Sequence, residues 1–189
     1  MLFRSVLLFF GARDFLESRF GQMEASRDFG VAGPEKVQPE APRHTSPPPQ
    51  AFAPPLGATI AKLTIPRLDT QVYVVEGDNE EELRRAPGHL AGSAPPGGAG
   101  NCIIAGHRDT HFRILKNIRK GDDILLETRN GQFLYRVKTT RIVTPDNTTA
   151  LKPTSSPELN LITCYPFYYV GSAPKRFVVE AQLAGSLGT

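Results

Sequence analysis

Two side chains of this protein stand where apolar strands are expected to end, and their chemical types suit acyl transfer. Cys164 follows the apolar run 159–163 and precedes Tyr165-Pro166, so we expect an exposed thiol at a strand tip. His107 follows the apolar run 101–105, and an imidazole beside a thiol favours the reactive thiolate. If the two strands are parallel neighbours, both tips meet at one rim. Taken singly, an inert buried cysteine and a hydrogen-bonded loop histidine are the alternatives.

A guanidinium completes this set of candidates. Arg176 opens the apolar run 177–183, which follows Cys164 after a short connection. An antiparallel strand that starts there would place the guanidinium beside the thiol, where it could stabilise the oxyanion of a tetrahedral intermediate. A surface arginine is the common alternative, so the prediction depends on the three strand tips together.

The chain has only two cysteines, and their state separates an enzyme from a structural module. A disulfide between Cys102 and Cys164 would indicate a non-catalytic, stapled envelope module. Cys102 precedes His107 by five residues on the same predicted strand, which places it about 16 Å from the tip. A disulfide needs Cα atoms within about 7 Å, so a thiol beside His107 could not pair with Cys102. We therefore expect Cys102 to be an inert core thiol.

The elements that position these residues are predicted to be mostly short strands. Strands are predicted over 59–65, 71–75, 101–105, 123–128, 132–143, 159–163 and 177–183, helical turns over 79–85 and 112–118, a Gly/Pro-rich loop over 88–100, and a hairpin at Asn130-Gly131. Seven or eight short strands with two small helices indicate a mostly β protein that forms a closed, largely antiparallel barrel. Seventeen prolines and seventeen glycines exclude a helical bundle of this size.

The first 56 residues differ in composition from the rest of the chain. Residues 1–30 begin with an apolar run too short to cross a bilayer core about 30 Å thick. It is interpreted as an interfacial or partial membrane anchor, as a span lacking its first half, or as an amphipathic helix packed on the domain. Residues 31–56 hold eight prolines and predict a semi-rigid spacer. The catalytic domain is predicted over 57–189.

Charge argues against one class of partner. The formal net charge is +3, and the basic side chains are scattered, with isolated doublets at Arg84-Arg85 and Arg119-Lys120. A nucleic-acid-binding protein would show a basic stripe with interleaved aromatic residues, so no nucleic acid is expected as a partner. An apolar N-terminus, a proline spacer and a globular domain are the layout of a protein tethered to a membrane and working outside it.

Three motifs resemble the signature of the sortases. They are Gly106-His107-Arg108-Asp109-Thr110, Leu161-Ile162-Thr163-Cys164, and Arg176 before an apolar strand. The surrounding segments 84–89 and 164–167 are most similar to class D sortases, and the resemblance runs from about 56 to 183. Asn160 departs from the pattern, because the family's T-L-x-T-C motif has its first Thr there. We expect this departure to tune the site at most.

The resemblance implies an eight-stranded sortase β-barrel and a cysteine transpeptidase. Cys164 would attack a C-terminal LPxTG-like sorting signal of a secreted protein and form a thioester. His107 would protonate the leaving amine and deprotonate the incoming one, while Arg176 would hold the substrate and the oxyanion. The acceptor would be a peptidoglycan amine or a pilin lysine. The domain would stand outside the cell membrane on a single N-terminal anchor.

Four further residues are candidates for substrate binding, namely His89, Thr163, Tyr168 and Tyr169. His89 lies in a predicted loop that could reach the same rim, and the two tyrosines lie between Cys164 and Arg176, where plain barrel cover is the alternative. His111 is expected to be solvated. Some sortases bind calcium through loop acids, but the acidic run 80–82 is typical of a solvated helix face. No metal or other cofactor is therefore predicted.

Overall fold

The computed structural model describes residues 22, 54–169 and 171–187. The predicted N-terminal segment 1–30, apart from Gln22, and the predicted spacer as far as residue 53 lie outside these ranges. The described chain forms the strands β1 (Thr59–Ile65), β2 (Thr70–Glu76), β3 (Gly88–His89), β4 (Asn101–Ala105), β5 (Asp123–Thr128), β6 (Gly131–Val143), β7 (Glu158–Tyr165) and β8 (Lys175–Leu187). Between them lie one short helix, α1 (Glu80–Arg85), and the 3₁₀ helices Pro66–Leu68, His111–Asn117 and Thr149–Leu151.

The eight strands close into a barrel in the order β1-β2-β3-β4-β7-β8-β6-β5, and β5 pairs with β1 to complete the ring. Two neighbouring pairs are parallel, β2 with β3 and β4 with β7, and the others are antiparallel. The prediction of a mostly β, closed and largely antiparallel barrel is confirmed.

Local sequence explains where the first elements begin and end. Pro66 follows the last residue of β1 and opens a 3₁₀ helix, since a proline nitrogen cannot donate to a strand ladder. Asn79 caps α1, and its side-chain oxygen accepts hydrogen bonds from the backbone nitrogens of Glu81 and Glu82 at 3.0 and 3.4 Å. The predicted hairpin at 130–131 joins β5 to β6, with Thr128 paired to Gly131.

The two-residue strand β3 was not predicted, because it lies at the start of the Gly/Pro-rich segment 88–100. Gly88 passes so close to β2 that a Cβ atom there would lie 2.0 Å from the carbonyl oxygen of Gly77. Only glycine allows this approach, which lets β3 bridge β2 and β4.

The interior of the barrel is filled by the alternate side chains of its strands. The largest fully buried residues include Tyr135, Phe112, Leu63, Ile65, Ile104, Leu159 and Leu161. On β4 and β7 the core members are Cys102, Ile104, Leu159 and Leu161. The intervening residues on these strands therefore face outward, since successive side chains of a strand alternate between its two faces.

Gln22 contacts the barrel from a distant part of the sequence. Its side-chain amide donates to the carbonyl oxygen of Tyr73 at 3.2 Å and accepts from the backbone nitrogen of Tyr73 at 2.6 Å. The Gln22 amide thus forms hydrogen bonds with the backbone of β2 in the way that a neighbouring strand would. Among the described residues, no helix combines the length and the apolar character needed to cross a bilayer.

Candidate active site

β4, which ends two residues before His107, and β7, which contains Cys164, are parallel neighbours. This is the pairing under which the two strand ends were expected to meet. Ala105 pairs with Ile162, and the ladder continues with a hydrogen bond from the backbone nitrogen of Gly106 to the carbonyl oxygen of Ile162 at 3.1 Å. Continuing this register by two residues places His107 beside Cys164, on strands about 4.8 Å apart. The imidazole and the thiol therefore project from adjacent positions on one rim.

Arg176 occupies the next strand at the same level. Cys164 and Arg176 are directly opposite residues of the antiparallel pair β7–β8. Opposite residues project from the same face, with Cβ atoms about 5 Å apart. In this structure, Nη1 of Arg176 donates to the carbonyl oxygens of Ala173 and Lys175 at 3.3 and 3.1 Å. The guanidinium thus lies against the connection that follows Cys164.

All three candidates face away from the barrel interior. Along β4, β7 and β8 the core residues are two positions apart, and each candidate falls on the alternate face. Cys164, His107 and Arg176 are each half-buried. Ala105 and Ile162, which share this outward face, are half-buried as well. The site is therefore an open outer surface and not a cavity inside the barrel.

The backbone around His107 is held by three contacts. The backbone nitrogen of Phe112 donates to the carbonyl oxygen of His107 at 3.0 Å, and the Phe112 ring is buried in the core. A Cβ atom on Gly106 would lie 2.7 Å from this ring, so glycine is required beside the histidine. Oγ1 of Thr163 donates to the carbonyl oxygen of Gly106 at 2.6 Å and is buried. The Thr163 hydroxyl is therefore engaged in fastening one strand tip to the other.

The two cysteines are both free, so the alternative of a structural disulfide is wrong. Cys102 pairs in register with Leu159, five residues before Cys164 on β7. Its side chain is fully buried, and this burial, with a smaller contribution from the charge of Glu76, raises the pKa of the thiol from 9.0 to about 12. Cys102 is thus a protonated core thiol at neutral pH, as predicted.

His89 does not lie in a loop, and that prediction is wrong. It belongs to β3 and is only 2% exposed, with Nδ1 2.8 Å from Oε2 of Glu76. Its Nε2 lies 2.9 Å from Oγ of Ser93 and 3.0 Å from the carbonyl oxygen of Ala94. The Ser–His–Glu order matches a hydrolase triad, but the backbone nitrogen of Ile103 also donates to the serine oxygen at 3.2 Å. This network fastens the turn after β3 to β4.

Tyr168 and Tyr169 are exposed and lie in the β7–β8 connection, which basic residues hold against the His107 side of the rim. Nη2 of Arg108 donates to the carbonyl oxygens of Tyr169 and Gly171 at 2.9 and 3.0 Å, and its guanidinium lies 5.7 Å from the Tyr169 ring. Nζ of Lys116 donates to the Tyr168 hydroxyl at 2.5 Å. This hydrogen bond and the nearby positive charges lower the pKa of Tyr168. The two tyrosines thus lie in a connection that Arg108 and Lys116 hold in place.

Other titratable residues fall outside this surface. His111 was expected to be solvated, but it is buried at the start of a 3₁₀ helix, so that expectation is wrong. The acidic run 80–82 forms the first turn of α1. Within the described ranges, no three His, Cys, Asp or Glu side chains come close enough to hold a metal ion.

Comparison with known proteins adds independent findings. A family model for the sortase domain matches residues 63–184. Sortase D of Bacillus subtilis (strain 168) is 38% identical over 133 residues, which cover 70% of this chain and 67% of that protein. Sortases are cysteine transpeptidases that anchor proteins.

Two solved structures of similar proteins agree with this match. The catalytic domain of B. anthracis SrtD aligns with a TM-score of 0.62 at 32% identity, and the alignment covers 77% of this chain and 99% of that one. A Clostridium perfringens Sortase D5 transpeptidase aligns with a TM-score of 0.64 at 27% identity, covering 69% and 82% of the two chains. The match to the family model covers 65% of this chain. The chain therefore belongs to the sortase family, and it is most like the class D sortases.

Proposed function

We propose that this protein cleaves a C-terminal LPxTG-like sorting signal of secreted proteins and transfers the cleaved protein to an amine acceptor through a thioester. The observation that carries the proposal is the meeting of three strand tips on one outer face. β4 and β7 are parallel neighbours that carry His107 and Cys164, and Arg176 lies directly opposite the cysteine on β8. Each of the three side chains suits one step of acyl transfer.

In the first half-reaction, the Cys164 thiolate attacks the carbonyl carbon of the signal's threonine. The tetrahedral oxyanion that forms receives hydrogen bonds from the Arg176 guanidinium, which must turn from its loop carbonyls toward the substrate. The carbon–nitrogen bond to the following residue then breaks, and the leaving nitrogen takes a proton from His107. The product is a thioester between Cys164 and the threonine.

In the second half-reaction, an amine replaces the leaving group. His107 accepts a proton from the incoming amine as its nitrogen attacks the thioester carbonyl, and the Cys164 thiolate leaves. We propose a peptidoglycan amine or a pilin lysine as the acceptor, with water as a poor substitute. The enzyme would work on the extracytoplasmic side of the cell membrane, anchored through its N-terminus.

The proposal is tested with the purified protein and quenched peptides that contain Leu-Pro-x-Thr-Gly or Leu-Pro-x-Thr-Ala. Wild type is expected to release the C-terminal fragment, and Cys164→Ala is expected to abolish release. Arg176→Ala should lower kcat far more than it weakens peptide binding, because the oxyanion exists only in the transition state.

Mass spectrometry provides the matched control for this experiment. Wild type incubated with peptide should gain the mass of the acyl fragment on Cys164, and an added amine should remove it. Cys102→Ala should leave cleavage intact, since that thiol is inside the barrel. Equal behaviour of wild type and Cys164→Ala across a panel of signal peptides would reject the proposed function.

A further inference from the structure

The outward-facing surface of β4, β7 and β8 is partly exposed near Cys164 and is covered farther from it. Ala105 and Ile162, next to the strand tips, are half-buried. Farther from the tips, Ile103, Asn160 and Val178 are 3%, 3% and 2% exposed although their side chains point away from the barrel core. The connection between β6 and β7, residues 144–157, lies over part of this face, since Asn147, Thr149 and Ala150 border the same cavity as Val178. It is called the β6–β7 loop below.

Two asparagines fasten the β6–β7 loop to the covered sheet. Nδ2 of Asn101, the first residue of β4, donates to the carbonyl oxygens of Ala150 and Lys152 at 2.8 and 2.9 Å. These carbonyls lie at the end of the 3₁₀ helix of the loop. Nδ2 of Asn160 on β7 donates to Oδ1 of Asn101 at 2.7 Å, and both residues are buried. The chain of donors therefore runs from β7 through β4 to the loop.

Only one of the two polar atoms of the Asn160 side chain is hydrogen-bonded. Its Oδ1 is buried and has no hydrogen-bond partner among the described residues. An unpaired buried acceptor is destabilising, so an asparagine is a costly choice at this position unless its donor is needed. Nδ2 supplies that donor, because it orients Asn101 so that both of the Asn101 N–H bonds point at the loop.

The distance along β7 from Asn160 to Cys164 is similar to the length of the proposed substrate segment. Asn160 lies four residues before Cys164 on the same face, about 13 Å away at 3.3 Å per residue. An extended Leu-Pro-x-Thr segment has a similar length. A signal whose threonine carbonyl lies at Cys164 and which follows β7 therefore reaches the edge of the β6–β7 loop with its first residue.

We propose that Asn160 and Asn101 form a latch that sets the position of the β6–β7 loop and thereby determines how the start of the sorting signal is bound. This inference rests on the proposed function. Asn160 is a positioning residue in this scheme, since it acts through Asn101 and the loop and touches no reacting atom. A threonine, which the family motif has at this position, ends one bond shorter and would not reach Oδ1 of Asn101 in the same way.

The latch is tested first without any substrate, by amide hydrogen exchange of the full chain. Leu151 and Lys152 donate backbone hydrogen bonds to Thr148 and Thr149 within the loop, so their amides report loop opening. Asn160→Thr and Asn101→Ala are expected to speed their exchange about tenfold. Thr154→Val is the matched control: it removes a bond within the same loop and should change these amides less than about twofold.

The second measurement uses a quenched Leu-Pro-x-Thr-Gly peptide. Asn160→Thr and Asn101→Ala should raise KM about three- to tenfold and leave kcat within about twofold, because the reacting groups are untouched. Replacing the signal's leucine with alanine should cost the variants less than it costs wild type. If either variant lacks a cooperative thermal transition, Asn160→Leu replaces it, since leucine has about the same volume and removes both the donor to Asn101 and the unpaired buried oxygen.

Loop exchange within about twofold of wild type in both folded variants would overturn the latch. Faster exchange with an unchanged KM would overturn its role in substrate binding. A failure of wild type to cleave any signal peptide rejects the proposed function instead, and the exchange measurement still decides whether the latch exists.

Discussion

Cys164 is half-buried on the outer face of the barrel, whereas Cys102 is fully buried inside it. Cys164 follows an apolar segment and Cys102 precedes one, and their distances from the strand tip predicted this difference in burial. A pairing alternative built on the number of cysteines alone was wrong, since both thiols are free. Strand position therefore predicts the burial of the two cysteines in this chain better than composition does.

Alkylation of the native protein at neutral pH tests this difference. Iodoacetamide should modify Cys164 and leave Cys102 unmodified, because burial keeps the Cys102 thiol protonated and out of reach. His107→Ala should slow the reaction of Cys164 by about tenfold or more, since the imidazole favours the thiolate. Peptide mapping by mass spectrometry gives the two rates separately.

The unfolded protein is the control for this alkylation experiment, and there both thiols should react at similar rates. Modification of Cys102 in the native state as fast as that of Cys164 would contradict the assignment.

Other residues could not be located from the sequence. His89 turned inward because its partner is Glu76, thirteen residues earlier on another strand, and no local pattern announces that contact. The role of Asn101 was missed for the same reason, since its loop partners lie about fifty residues away. Arg108 was expected to pair with residues close to it in sequence, but its hydrogen-bond partners Tyr169 and Gly171 lie 61 and 63 residues away. Side chains whose partners are remote in sequence carry no periodic signal.

Elements with clean alternation were predicted closely. β1, β4 and β5 have the predicted bounds, and β7 and β8 extend a few residues beyond them. β3 and the 3₁₀ helix Thr149–Leu151 were missed, because both are too short for a periodic pattern and are held by neighbours distant in sequence. Pairing of β4 with β7 followed from the chemistry expected at their tips rather than from either strand alone.

The position of the β7–β8 connection relative to β4 is expected to depend on Arg108. Arg108→Ala removes two hydrogen bonds to the connection and the contact with the Tyr169 ring. Cleavage by chymotrypsin after the exposed Tyr168 and Tyr169 is expected to become about three- to tenfold faster as the connection loosens. Limited proteolysis followed by mass spectrometry measures this change.

Arg136→Ala is a matched control for that variant, since Arg136 is another partly exposed arginine whose contact is an ion pair with Asp123 on β5. Its rate of cleavage after Tyr168 and Tyr169 should equal that of wild type. An unchanged rate in Arg108→Ala would show that the connection is held by other contacts.

Two buried groups of the barrel keep their protons up to a higher pH than they do in the unfolded chain. Burial raises the pKa of Cys102 from 9.0 to about 12 and that of Tyr135 from 10.0 to about 12. Below pH 9 both groups are protonated in either state, so their contribution to stability is fully present. As the pH rises from 9 towards 12, the unfolded chain loses these protons first, and the free energy of unfolding falls.

Urea unfolding at pH 8, 9 and 10 under reducing conditions measures this effect. Wild type should lose stability across this range, and Cys102→Ala should lose less, although it is less stable than wild type at pH 8 because of the cavity it creates. Parallel pH dependences of the two proteins would contradict the assigned burial of the thiol proton.

The chain order of the barrel has a consequence for the timing of activity during biosynthesis. β7 receives β4 on one side and β8 on the other, and β8 also pairs with β6. His107, Cys164 and Arg176 therefore come together only after the last strand of the barrel has been made and has docked. On the proposed function, a chain that is still emerging carries the thiol without the assembled site, and the reaction would begin only after folding.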